Sequence, residues 1–159
     1  MKKISVLDVT MRDGGCVNDF NFGQKYMEEI LRAQEASGVE YIELGYLDTG
    51  EGSECGRTKY KNEEAITKYF LTGKKSGITY LAMMDYGKFD PGNLPERSED
   101  TIDGIRLAFH KKDKDKVPEL GRIIIDKGYQ LFVQPMITLR YSDSELLSLI
   151  ENVNTELPD

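Results

Sequence analysis

The chain has 159 residues, 39% hydrophobic and 31% charged, with a net charge of −7. That length and balance suit one soluble domain with a real core, and an acidic surplus with Lys and Arg spread along the chain excludes a nucleic-acid footprint. No apolar run approaches the roughly 20 residues that span a bilayer, so no membrane partner is expected.

Met1-Lys2-Lys3 is basic, but the apolar stretch of a signal peptide does not follow it. Residues 4–9 read instead as a buried first strand, covered on both faces as in parallel sheets. This strand runs into Arg12-Asp13-Gly14-Gly15. Arg and Asp are costly to bury unless paired or bound. Glycines allow positive φ and close approach of a ligand to the backbone. Two readings follow: a site handling anions and cations at a strand's carboxyl end, or a surface ion pair closing the strand into a turn. Residues 16–22 form a predicted loop with Asn18, Asp19 and Asn21 as turn formers. A helix is predicted over 23–37 from Tyr26, Met27, Ile30, Leu31 and Gln34, with Gly38 as a left-handed C-cap.

Residues 39–45 read as the second strand, whose apolar run is interrupted by Glu43. The segment 48–61 is long, polar and glycine-rich, as functional or disordered loops are. Asn62 is placed to cap a helix opening with Glu63 and Glu64, with an apolar stripe of Ala65, Ile66, Tyr69 and Phe70 and an end at Gly73 or Gly77. A third strand over 78–84 leads to Asp85-Tyr86-Gly87, and Asp90-Pro91-Gly92-Asn93 signals a turn. Residues 95–101 offer a short helix at best. A fourth strand, 104–109, is closed by His110. Residues 113–127 read as helical through Leu120, Ile123 and Ile124, with Gly128 as C-cap and Pro118 tolerable only near the first turn. A fifth strand over 129–138 precedes the capping box Ser142-Asp143-Ser144-Glu145. That box opens a last helix through Leu146, Leu147, Leu149, Ile150 and Val153.

Alternating strands and helices imply parallel strands with right-handed crossovers. The fold class is α/β, either a doubly wound open sheet or part of a (β/α)8 barrel. In both, ligands sit at the carboxyl ends of the strands. That edge would gather Arg12 and Asp13, Tyr46 and Asp48, Asp85 and Tyr86, His110, and Arg140 and Tyr141. Neither a GxGxxG nor a P-loop follows the first strand, so nothing supports a nucleotide site there. Cys16 and Cys55 have no metal or redox spacing and are expected as free thiols in a reducing cytoplasm.

The run Asp8-Val9-Thr10-Met11-Arg12-Asp13-Gly14 resembles the opening signature of the metal-dependent lyases and synthases related to 3-hydroxy-3-methylglutaryl-CoA lyase. The longer unit Arg12-Asp13-Gly14-Gly15-Cys16-Val17-Asn18-Asp19-Phe20-Asn21-Phe22-Gly23 resembles the 4-hydroxy-2-oxovalerate aldolase branch, and Tyr41-Ile42-Glu43-Leu44-Gly45 fits the same family. The resemblance implies a (β/α)8 barrel, of which residues 1–159 would be the N-terminal portion of the catalytic domain, about five of eight units. It implies that Asp13 is a ligand to Mn2+ or Mg2+, with the remaining ligands beyond residue 159, and that Arg12 stabilises an enolate. Arg12, Asp13 and Glu43 are then the candidate catalytic residues. Gly14, Tyr46 and His110 are the candidate contacts to a small 2-oxo acid.

The implied chemistry suits these side chains. Breaking a carbon–carbon bond beside a carbonyl generates an enolate, which a hard cation and a fixed guanidinium can stabilise. One well-placed oxyanion donor is worth roughly 3 to 4 kcal/mol of barrier. Glu43 could orient Arg12 or a metal-bound water, or be an interior carboxylate paired with Lys or Arg. Two departures stand out. Cys16 occupies the position where the aldolases carry a His proposed as acid or base. The family's paired metal histidines belong to a seventh strand, and His110 cannot replace them. The expected function is therefore an aldolase-like lyase acting on a 4-hydroxy-2-oxo acid, inactive as this chain alone. The alternatives are a non-catalytic barrel relative serving in binding, or an acetyl-CoA-dependent Claisen-type acyltransferase. Open sheet edges predict a homo-oligomer, and one carboxylate predicts weak metal affinity.

Overall fold

A computed structural model of the chain describes residues 4–50, 54–70 and 73–157. Met1-Lys2-Lys3, Pro158 and Asp159 lie outside the described residues, as does the Phe70 side chain. The elements are β1 (Leu7–Asp8), α1 (Thr10–Asp13), α2 (Gln24–Ser37), β2 (Tyr41–Leu47), β3 (Lys59–Tyr60), α3 (Glu63–Phe70), β4 (Thr79–Asp85), β5 (Gly104–Phe109), α4 (Val117–Asp126), β6 (Gln130–Pro135) and α5 (Asp143–Glu156). The strands pair in parallel in the order β1-β2-β4-β5-β6, and β3 pairs with β2 above β1 on the same edge. The five-strand path is curled into a half-barrel. Tyr41 of β2 meets Phe132 of β6 edge-on across the concave face, with ring centroids 5.6 Å apart. A flat sheet would hold these two strands apart, because β4 and β5 lie between them.

Alternation divides the strands into two faces. Ile42, Leu44, Tyr80, Ala82, Met84, Ile105, Leu107 and Phe109 join the main core, together with Met27, Ile124 and Leu149 from the helices. Tyr46, Met83 and Ala108 form a smaller cluster on the opposite face, with Phe20 and Met136 against it. Strict alternation would send Tyr46 away from Glu43. The β2–β4 register shifts between those two residues, which returns Tyr46 to the concave side. The shift occurs at Gly45, where any Cβ would come within 2.2 Å of the Thr58 carbonyl oxygen. Glycine is needed there to admit the backbone leading into β3.

Local signals explain the helix ends. Gly38 has φ 82 and closes α2. Asn62 Oδ1 accepts from Ala65 N at 3.1 Å at the start of α3. Ser142 and Glu145 form the full capping box of α5. Pro118 stands in the first turn of α4, after a 3-10 segment over Lys111–Lys116.

Several expectations need correction. The first strand is confined to Leu7–Asp8, with Ile4 88% and Val6 53% exposed, so it is not covered on both faces. Asp8 ends it: Oδ1 accepts from Thr10 N at 2.8 Å and from Gln34 Nε2 at 2.6 Å, turning the chain into α1. Gly14 is helical at φ −60, and Gly15 is absent from the positive-φ glycines; instead Asp19 and Phe20 carry φ 56 and 57. The segment 48–61 contains a strand, β3. No helix forms over 95–101. The fifth strand ends at Pro135, two residues before Ile137 turns left-handed at φ 53. Tyr26 is 62%, Leu147 59% and Ile150 48% exposed, so these three lie off the buried faces of their helices. Among the described residues no helix is long and apolar enough to cross a membrane.

Candidate functional site

The concave side of the sheet carries a buried charge cluster within the strands. Glu43, on β2, is fully buried. Its Oε2 accepts from Arg106 Nε at 2.6 Å and its Oε1 from Arg106 Nη2 at 2.6 Å, a two-pronged pairing with β5. Oε1 also accepts from Arg12 Nε at 2.9 Å. Arg106 Nη1 donates to Gln134 Oε1 of β6 at 3.1 Å. A carboxylate with no solvent contact is thus satisfied by two guanidinium groups, as burial of a charge demands.

Arg12 is delivered by α1. Asp13 N donates to the Val9 carbonyl at 2.7 Å, closing the turn, and buried Thr58 donates its hydroxyl to the Met11 carbonyl at 2.8 Å. The turn is therefore tied to the approach to β3, and Arg12 reaches Glu43 of β2. Arg12 Nη1 lies 3.0 Å from Asp13 Oδ1. The Arg12 side chain is 16% exposed and that of Asp13 65%, so the cluster runs from a sealed carboxylate outward to an open one.

The structure therefore brings Arg12, Asp13 and Glu43 together. Gly14 continues directly from Asp13, and a Cβ there would sit 3.7 Å from the Phe22 ring, ordinary contact, so sterics do not demand glycine. Gly15 is the crowded position, with the Phe20 ring 2.3 Å from where its Cβ would be. Phe20 in turn stacks on Tyr46 at 6.2 Å between centroids, and Lys59 Nζ lies 5.5 and 5.9 Å from the two rings. Lys59 Nζ also stands 3.6 Å from Asp48 Oδ2. Burial raises the Tyr46 hydroxyl far above its ordinary value, followed by a hydrogen bond with Asp85 and the charges of Asp85 and Asp48, with Arg12 opposing. Tyr46 is thus held as a neutral hydroxyl.

His110 is not part of this cluster. It is exposed, at the end of β5, and lines a separate cleft with Lys111, Lys112, Met136, Ile137 and Arg140. Cys16 and Cys55 are exposed free thiols. Among the described residues no three His, Cys, Asp or Glu side chains gather where they could hold a metal ion. Asp13 is a single, mostly exposed carboxylate already paired with Arg12, so the residues present do not fit a site for Mn2+ or Mg2+. Sequence reasoning missed Arg106, Gln134 and the packing of Lys59 on the rings. Arg106 carried a usable signal: a charge inside the apolar run Gly104-Ile105-Arg106-Leu107-Ala108-Phe109, the same irregularity that singled out Glu43.

No family model matches the chain. It is 25% identical over 145 residues to a 4-hydroxy-2-oxovalerate aldolase 6 of Rhodococcus jostii (strain RHA1), covering 90% of this chain and 40% of that protein. It is 26% identical to a 4-hydroxy-2-oxovalerate aldolase of Moorella thermoacetica and 28% identical to a 4-hydroxy-2-oxovalerate aldolase 2 of Comamonas testosteroni. Both of these matches cover 72% of this chain, and 34% and 33% of the respective relatives. The chain thus spans between a third and two-fifths of the length of the curated relatives it matches, and the matches support a distant relationship to 4-hydroxy-2-oxovalerate aldolases.

Proposed function

We propose that this chain is the N-terminal portion of an aldolase-like (β/α)8 domain that cleaves a 4-hydroxy-2-oxo acid, and that residues 1–159 alone do not turn it over. The observation that carries the reading is the fixed Arg12 guanidinium, held through Nε by buried Glu43 of β2. In the cleavage the C4 hydroxyl gives its proton to a base and becomes the aldehyde carbonyl, the C3–C4 bond breaks, and its electron pair enters the pyruvate unit as an enolate that takes up a proton at C3; none of the cluster's residues is assigned as that base. Arg12 would bind the 2-oxo group and stabilise the developing oxyanion with its remaining N–H groups. Glu43 and Arg106 would keep that guanidinium from swinging. Gly14 and Tyr46 are proposed as substrate contacts, Tyr46 as a neutral donor, whereas His110, expected as a third, lies in the separate cleft and is not one of them. As one carboxylate, Asp13 would give a divalent cation a single ligand, and the chemistry assigned to these residues does not pass through a metal. A second reading, a relative that binds the oxo acid without cleaving it, is favoured by Cys16, which is exposed where the resemblance implies a His.

The test is a pyruvate titration followed by amide chemical shifts, with a parallel assay for pyruvate release from 4-hydroxy-2-oxovalerate. Saturable shifts near Arg12, lost in Arg12→Leu, are expected without turnover. Shifts that persist in Arg12→Leu would refute the site. Metal-dependent release above the blank would refute the claim that this chain is inactive alone.

A further inference from the structure

The cleft formed by the segments that follow β5 and β6 has a different chemistry from the Arg12 cluster. It holds about 590 Å3 and is lined by His110, Lys111, Lys112, Met136, Ile137 and Arg140. Among the described residues none of its lining is acidic, although the chain as a whole carries −7. Its cations are not equivalent. Lys111 Nζ donates to Glu145 Oε2 at 2.7 Å and to the Arg140 carbonyl at 3.0 Å, and lies over the Tyr141 ring. Its charge is therefore matched. Among the described residues the Lys112 ammonium and the Arg140 guanidinium make no hydrogen bond or ion pair, which leaves two positive charges facing one cleft.

The backbone adds an independent observation. Ile137, a β-branched residue, sits at φ 53 and ψ 54, which is costly for its side chain. That conformation ends β6 and starts the 3-10 turn Thr138–Arg140, in which Arg140 N donates to the Ile137 carbonyl at 2.9 Å. The strained residue thus sets Arg140 back over the end of the sheet. Met136 packs against the Tyr46, Met83 and Ala108 cluster while also lining the cleft, so the floor is apolar and continuous with that cluster.

We infer that this cleft binds an organic phosphate, with a phosphate dianion between Lys112 and Arg140 and an apolar body on Met136 and Ile137. Two unmatched charges call for a dianion, and a phosphate monoester carries about −1.5 to −2 at neutral pH. A 2-oxo monocarboxylate would neutralise only one of them. The inference goes beyond the aldolase reading and stands whether or not Arg12 binds an oxo acid.

The test uses the whole chain at low salt, where exposed charges are least screened. Phenyl phosphate, inorganic phosphate and benzoate are titrated separately and followed by amide shifts of residues 110–112 and 136–140. Phenyl phosphate should bind tightest, inorganic phosphate next, and benzoate at least tenfold more weakly than phenyl phosphate. Lys112→Gln and Arg140→Gln should each weaken phenyl phosphate about three- to fivefold, as loss of one exposed charge contact implies. Lys25→Gln, on exposed α2, should leave it unchanged. Equal binding of benzoate and phenyl phosphate would overturn the inference. So would unchanged affinity in both cleft variants, or shifts confined to other parts of the chain.

Discussion

Replacing Arg106 by Met should destabilise the domain severely, and the geometry sets the size of the effect. Glu43 has no solvent contact and takes two of its three hydrogen bonds from Arg106, both at 2.6 Å. Arg12 would remain, but it reaches only Oε1, which leaves Oε2 buried without a donor. Removing one partner of a buried ion pair costs roughly 3 to 5 kcal/mol, because the remaining charge stays desolvated. Against a total stability of about 5 to 15 kcal/mol that is a large fraction. At about 2 to 4 °C per kcal/mol for a chain of this size, the melting temperature should fall by roughly 10 °C. The double variant Glu43→Leu/Arg106→Met removes both charges and leaves apolar groups between Met83 and Tyr46. It should recover most of the loss, since an apolar replacement of a whole buried pair is often close to neutral. Urea unfolding of both single variants, the double variant and the parent forms a complete cycle. A single-variant loss below about 1 kcal/mol, or a double variant worse than either single, would refute the account of Glu43 as a carboxylate sustained by Arg106.

Two further substitutions test the supports of the site. Gly15→Ala places a Cβ 2.3 Å from the Phe20 ring and should cost about 1 to 3 kcal/mol by overpacking, partly restored by Phe20→Leu and read from thermal melts. An additive double variant would show that the ring is not the cause. Asp103 offers a pH test. Burial raises its carboxyl, but hydrogen bonds from Lys74, the Tyr80 backbone and Arg97 outweigh this and leave it below the ordinary 3.8. A carboxyl lowered by folding contributes stability that is present above its unfolded value and lost as the pH falls through the folded one. Asp103→Asn should therefore lower stability at neutral pH and flatten its decline below about pH 5 in urea midpoints. An acid limb of unchanged slope would remove Asp103 from that role.

The sequence revealed the alternation of elements because each strand carries a dense apolar run and each helix a cap or a glycine stop. Gly38, Asn62, Ser142 and the whole of β5 lie where their local chemistry put them. The misses have a common cause: they depend on partners distant in sequence. β3 is two residues long and exists because Gly45 lets the Thr58 backbone approach. The first strand reads as apolar, yet the edge of a curled sheet leaves Ile4 and Val6 in solvent. Tyr26 fits the helical period of α2 but faces outward, whereas Gln34 is buried to hold Asp8. At the site, Arg12 and Asp13 were legible from one short run. Arg106 was not singled out although it breaks the apolar run of β5 as Glu43 breaks that of β2; what the sequence could not show was that the two pair, 63 residues apart.

Glu43 admitted two readings from sequence, an orienting group for Arg12 or an interior carboxylate neutralised by a basic residue. The geometry makes these one role. Oε1 accepts from both arginines, so the bond that helps satisfy the buried carboxylate also aims the Arg12 guanidinium. Arg106, anchored further by Gln134, cannot turn to a ligand without abandoning that carboxylate. Arg12 is tied at Nε by Glu43 and at Nη1 by Asp13, and its side chain keeps some solvent exposure. A free arginine loses side-chain entropy whenever it binds an anion, of the order of 1.5 to 2 kcal/mol for a long side chain. Here that cost is met in folding, by a carboxylate that could not be buried otherwise. A guanidinium immobilised in this way favours a planar anion over a simple halide, and it does so before any ligand arrives.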